Sequence, residues 1–165
     1  MKKLLSAAGL CISLAISAGA EAADKIAVVD VSAIFQQSPQ REAVLKQLKN
    51  EFNGREAELR TMEHDLNAKM QKLQRDGSTM KATERNRMEK EMMEQRDKYA
   101  AKVQTFEQDN RRRQMEERDN ILNTIKNAAQ KVASSKGYDI VIDSNAVVYV
   151  AKSKNITADV LKQVK

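Results

Sequence analysis

Between Arg41 and Arg113 apolar side chains return every seven residues. Leu45, Phe52, Leu59, Leu66 and Leu73 hold one heptad position, and Leu48, Arg55, Met62 and Lys69 hold the position three residues further on. Such spacing sets one stripe of a helix against one neighbour, the register of a coiled coil. Every second residue at the companion position is a long basic side chain, so the seam is narrow. Asp76-Gly77-Ser78 interrupts the pattern, and a second stripe follows through Met92, Tyr99, Val103 and Phe106. The pattern predicts two long amphipathic helices folded back on each other at 76–78. The first runs from Pro39 to Arg75 behind Ser38 as N-cap; the second is capped by Ser78 or Thr79 and stopped by Gly137.

The second helix changes phase. Glu107 to Gln114 contains no apolar residue, and Met115, Leu122 and Ala129, with Ile125 and Val132, resume two positions out of step. Counting outward from Gly77 places Gln114 opposite Gln40, where the first helix begins. Residues 41–113 are therefore expected to form an arm, and Met115 to Val132 to pack on strands. Lys25 to Val31 is apolar apart from Asp30 and predicts a strand covered on both faces, followed by a turn or short helix over Val31 to Gln37. Tyr138–Asp143 and Ala146–Ala151, joined by Asp143-Ser144-Asn145-Ala146, predict a β-hairpin, and Thr157 is expected to cap a last short helix. The expected class is α+β: a long antiparallel helical-hairpin arm, its tip near 76–78, on a small β-rich body made from 23–40 and 114–165. A body of 70 residues in two pieces, with strands apolar on both faces, is marginal alone, so oligomerisation through the sheet is expected.

The N-terminus changes the compartment. Met1-Lys2-Lys3 followed by apolar Leu4 to Ile16 has the layout of a cleavable export signal over 1–22, with Ala20-Glu21-Ala22 as the junction and Ala18-Gly19-Ala20 as a second candidate. Bulky Leu10 before Cys11 argues against a lipoprotein. Removal of 1–22 takes Cys11 away and leaves 27 basic against 22 acidic side chains, a net charge of +5. An exported chain without a thiol has neither disulfide nor cysteine chemistry.

Charge and sulfur collect around the turn. Lys69, Lys72, Arg75, Lys81, Arg85, Arg87 and Lys90 face only Asp76, Glu84 and Glu89. This is either a solvated helix end or a surface that attracts anions. Six of the seven methionines beyond residue 22 lie in the same arm: Met62, Met88 and Met92 in the seam, and Met70, Met80 and Met93 off it. An off-seam thioether presents a soft surface that accepts many apolar shapes.

Catalytic chemistry finds little support. His64, the one histidine, takes a solvent-facing heptad position with no ligand partner nearby. Asp139 and Asp143 stand about 13 Å apart along a strand, too far for a carboxylate pair, and read as solvated or capping side chains. No glycine-rich phosphate loop and no G-x-S-x-G elbow occurs. Asn155-Ile156-Thr157 fits a glycosylation acceptor as well as a helix cap. Arg111, Arg112 and Arg113 diverge by about 100° each around a helix and lack interleaved aromatics, which argues against nucleic acid. No enzyme, cofactor or metal site is expected.

Ala22-Ala23-Asp24-Lys25-Ile26-Ala27, Phe35-Gln36-Gln37, Glu51-Phe52-Asn53-Gly54-Arg55, Phe106-Glu107-Gln108-Asp109, Glu116-Glu117-Arg118 and the terminal Ile156 to Lys165 occur together and in order. Across essentially its whole length the chain resembles the Skp (OmpH) family of periplasmic chaperones. The resemblance implies a homotrimer whose arms surround a cavity that holds unfolded outer-membrane proteins without ATP. It also implies lipopolysaccharide binding, or contact with an anionic membrane surface, through a lysine and an arginine pair that align with Lys102, Arg112 and Arg113. Met70, Met80, Met93, Lys69, Lys72, Arg75, Lys81, Arg85 and Arg87 are then the expected client contacts. Two rival readings are a structural coiled-coil spacer and a cationic binder of lipopolysaccharide or nucleic acid.

Overall fold

The computed structural model describes residues 25–164; the expected signal segment, its junction and Cys11 lie outside the described residues. In chain order come β1 (Ile26–Val29), α1 (Val31–Gln37), α2 (Pro39–Asp76), α3 (Ala82–Lys136), β2 (Ile140–Asp143) and α4 (Thr157–Val164), with 3-10 turns at Ser144–Ala146 and Lys152–Lys154. Ala27, Val28 and Val29 are buried in succession, so β1 is covered on both faces as its composition predicts.

The expected hairpin does not form. β2 pairs in parallel with β1, Ile26 opposite Ile140 and Val29 opposite Asp143, and no strand follows it among the described residues. A tight two-residue hairpin turn needs positive φ, and no non-glycine residue in the described chain adopts it. Asp143 instead turns on itself, its Oδ1 accepting from the Asn145 N–H at 2.9 Å to open a 3-10 turn. Beyond the far edge of β1, the Ile156 N–H donates to the Val28 carbonyl at 2.9 Å.

Asp30, the one polar residue of the β1 stretch, ties the chain ends together. Its carboxylate accepts from the Ala33 N–H at 2.7 Å and caps α1; its own N–H donates to Thr157 Oγ1 at 2.8 Å. Thr157 therefore does not cap α4 with its hydroxyl: Asn155 Oδ1 accepts the Thr157 N–H at 3.0 Å in its place. Around this tie Ala27, Val29, Ile34, Ile121, Ile125, Ala128, Ala129, Val132, Ile156, Val160 and Val164 form one apolar core.

Ser38 sits at the N-cap of α2 with Pro39 behind it, but its buried hydroxyl makes no hydrogen bond. At the other end Thr79 closes α2 instead of opening α3, its hydroxyl donating to the Asp76 carbonyl at 2.9 Å. The N-cap of α3 is Lys81, not Ser78 or Thr79. The connection is thus longer than a three-residue turn, and the facing register shifts. Arg113 meets Glu51, Asp109 meets Arg55, Lys102 meets Glu58 and Glu91 meets Lys69. Numbers fall along α2 as they rise along α3, and the Arg113–Glu51 pair places Gln114 near Glu51, not opposite Gln40. Gly137 ends α3 with φ 67°, and the Tyr138 N–H reaches back to the Ala133 carbonyl at 3.0 Å.

The expected change of phase in α3 is met only in part: of the residues it sends to the strands, Leu122, Ile125, Ala129 and Val132 are sheltered and Met115 is not. One stripe of sheltered positions runs 92, 95, 99, 103, 106, 110, 113, 117, 121, 125, 128 and 132, and it is widened by 109 and, toward the end of the helix, by 122, 124, 129 and 133. The stripe takes eleven steps over forty residues, about 3.6 each, the period of a straight α-helix. The line simply passes through polar Asn110, Arg113 and Glu117. Met115, expected on the strands, is 60% exposed, and Ile121 takes the buried place.

Candidate functional site

The seam of α2 is the one its heptads predict: Leu48, Phe52, Arg55, Leu59, Met62, Leu66, Lys69 and Leu73 are all sheltered. Leu45, at the proximal end of the same series, is exposed. It lines an open groove with Phe35, Val44, Leu48 and Ile121, beside polar Gln114 and Arg118 of α3. The basic seam residues are accommodated, not excluded. Phe52 and Phe106 meet edge to face, centroids 5.6 Å apart at 89°. The Arg55 guanidinium carbon lies 5.8 and 5.7 Å from the two ring centroids, while its Nη1 donates to Asp109 Oδ2 at 2.8 Å. Such a clasp combines cation–π attraction with a charged hydrogen bond.

Above the clasp lies a shallow groove of about 250 Å³ lined by Leu66, Asn67, Met70, Met92, Met93 and Arg96. Met70 and Met93 come from different helices and meet there, 53% and 66% exposed. Met62, Met88 and Met92 are half-buried in the seam. Met80 is also half-buried, within the connection, where its N–H donates to the Asp76 carbonyl; the three off-seam methionines are therefore not one patch.

The basic residues divide the same way. Lys69 pairs with Glu91 at 3.7 Å, Arg75 with Asp76 at 2.9 Å, Arg85 with Glu89 at 3.7 Å and Arg87 with Glu91 at 3.7 Å. Lys72 and Lys81 have no carboxylate within 4 Å among the described residues. The tip field is thus weaker than its basic residues alone imply.

Lys102 and Arg113 share one flank of the helix pair, and both are occupied. Lys102 donates to Glu58 at 2.6 Å. Arg113, its side chain 19% exposed, bridges Glu51, Glu116 and Glu117 at 3.1, 2.9 and 2.7 Å. Arg112 turns away to Asp109 and Glu116. Hydrogen bonds from Arg113 and then Arg112 hold Glu116 below its ordinary carboxylate range, and those from Arg55 and then Arg112 do the same for Asp109. The Arg113 guanidinium is pushed up by the same three glutamates. An incoming anion at these cations must displace carboxylates.

Sequence reasoning missed those carboxylates. The Arg112–Glu116 and Arg113–Glu117 spacings of four residues were visible signals; Glu51, Glu58 and Asp109 required the cross-helix register. His64 is exposed, with Asp65 3.5 Å away. Asp139 accepts the Lys25 N–H at 2.9 Å, a structural role.

Comparison with known proteins gives one consistent answer. The family described as Outer membrane protein (OmpH-like) matches residues 25–164. The chain is 66% identical to the Chaperone protein Skp of Pectobacterium atrosepticum over the full length of both, and 52% identical to that of Escherichia coli strain K12, again over both full lengths. Among solved structures, a Caulobacter crescentus CB15 protein described as an OmpH-like outer membrane chaperone superposes with a TM-score of 0.75. That match covers 87% of this chain and 85% of the other at 15% identity, a likeness of fold. With a helix pair, a small sheet and full-length relatives in agreement, the chain belongs to the OmpH-like (Skp) family.

Proposed function

We propose that this protein is an ATP-independent holdase chaperone of the periplasm, which binds unfolded outer-membrane proteins and prevents their aggregation. The observation that carries the reading is full-length identity of 52–66% to proteins named Chaperone protein Skp. Neither a lipopolysaccharide binder nor a spacer appears in those names. The geometry supports dispersed, low-specificity contact. α2 and α3 act as an antiparallel arm over 41–113, with Met70 and Met93 as the soft surface and Met80, Lys69, Lys72, Arg75, Lys81, Arg85 and Arg87 around its end.

The body, 23–40 and 114–165, assembles three copies. Ile26 and Ile140 on the sheet, and Val148 and Tyr149 in the segment that follows it, are exposed apolar side chains, and a groove of about 520 Å³ runs past Val29, Val31, Leu122 and Val141. Burying this surface between copies supplies what a small body lacks. Lys102, Arg112 and Arg113 take a lipopolysaccharide phosphate only by exchange for their own glutamates. Charge reversal there abolishes anion binding while client binding is only partly weakened.

The test is suppression of aggregation of a chemically unfolded porin at one trimer per client without nucleotide, with the assembly mass measured alone and loaded. Absence of suppression removes the holdase reading; a monomer by mass removes the cavity.

A further inference from the structure

Sulfur is distributed in this fold with a bias toward the arm and away from the core. The apolar core consists of alanine, valine and isoleucine, with no methionine. Met62, Met88 and Met92 are half-buried in the helix seam. Met70 and Met93, from different helices, converge on one open groove together with Leu66, Met92 and Arg96. Cys11, the one thiol, lies outside the described residues, so the thioethers are the oxidisable sulfurs of the described chain. Those most open to solvent stand in the groove, apart from Met115, which is 60% exposed on α3 and lines none of the grooves described.

We propose that Met70 and Met93 form a reversible oxidation site at which peroxide-class oxidants weaken the hold on clients without unfolding the protein. The inference rests on the reading of this groove as a client surface. A sulfur lone pair attacks one peroxide oxygen, the O–O bond breaks, and the departing oxygen leaves as water after proton transfer. Sulfur loses two electrons and becomes a sulfoxide. The reverse step takes two electrons and two protons from a dithiol reductant, giving thioether, water and a disulfide. The product is polar and a strong hydrogen-bond acceptor. Arg96 lines the same groove and has no carboxylate within 4 Å among the described residues, so it supplies a donor that favours the oxidised form. The soft apolar patch becomes a hydrated polar one, and a core without sulfur leaves the fold untouched.

The experiment treats the assembled, signal-free protein with graded hydrogen peroxide, maps sulfoxides by peptide mass spectrometry and measures affinity for a labelled unfolded porin. Met70, Met93 and Met115 are expected to oxidise ahead of Met62, Met88 and Met92. Affinity is expected to fall roughly tenfold at unchanged helix content, and to recover after methionine sulfoxide reductase with a dithiol. Each variant is compared with itself before and after oxidant. The M115L protein shows the full drop, whereas M70L/M93L changes by less than about twofold from its own starting value. A full drop in M70L/M93L overturns the proposal. So does complete oxidation of Met70 and Met93 without loss of affinity, if M70Q/M93Q weakens binding. If M70Q/M93Q also binds unchanged, the reading of this groove as a client surface falls with it.

Discussion

The sheet-bearing core and the long helix pair use the same chain in opposite ways. In the core, Ile34, Ile125, Ile156 and Val160 are almost wholly buried, each contributing about 1.5–3 kcal/mol by burial. In the 38 residues of α2 only Phe52 reaches that state. The pair is held instead by half-exposed leucines, one aromatic clasp and a row of ion pairs open to water, each of which is worth little alone. A region so built can offer surface to a partner at small cost, whereas the core has none to spare.

Truncation separates the two most sharply. Ile125→Ala is expected to cost about 2–4 kcal/mol, and Leu66→Ala about 1 kcal/mol because its site is half-exposed and can collapse. Urea denaturation at fixed protein concentration measures both; equal losses would erase the contrast. Next in size, Phe106→Ala removes the ring contact and a cation–π partner of Arg55. A local loss of about 1–2 kcal/mol is expected, read as faster amide exchange around Phe52 and Phe106 with the core amides unchanged.

Acid loosens the pair. Asp109 and Glu116 have lowered folded-state pKa values, so the stability they confer is fully present above the ordinary carboxylate pKa of about 4 and lost as pH falls through the depressed values. Amide protection around the clasp should therefore decline in that window, and Asp109→Asn should flatten the decline. Asp159, lowered by its bond from Lys136, carries the same sign of dependence in the core. The smallest effect is a gain: Gly54 lies inside α2 with open space at its Cβ position, so Gly54→Ala should stabilise the helix by about 0.5–1 kcal/mol. A loss in that melt would mean that something packs on Gly54.

Much of the pair was legible because its periodicity is local. Phe52, Leu59, Leu66 and Leu73 shelter where their spacing puts them, Pro39 starts α2, and Gly137 stops α3. What failed was non-local. Ile26–Val29 and Ile140–Asp143 lie more than 110 residues apart, and their parallel pairing depends on the helix pair returning the chain to its start. The alternating-strand signature of 138–151 could not reveal that Asp143 would spend its carboxylate on a turn. The cross-helix register slipped in part because the connection runs on to Lys81, with Thr79 bonding backwards to Asp76. Of the candidate site, the convergence of Met70 with Met93 needed that register; the separation of seam from off-seam methionines did not.

The five residues 77–81 are the sole break between α2 and α3, and a protease that cuts at this helix tip separates the two helices. A cut there divides the chain into one piece carrying β1, α1 and α2 and another carrying α3, β2 and α4. The core is divided between them: Ala27, Val29 and Ile34 come from the first, and the other eight of its eleven residues from the second. The nicked molecule is therefore expected to hold together as a two-fragment complex, with β1 and α1 of the first piece closing a core that the second piece mostly supplies.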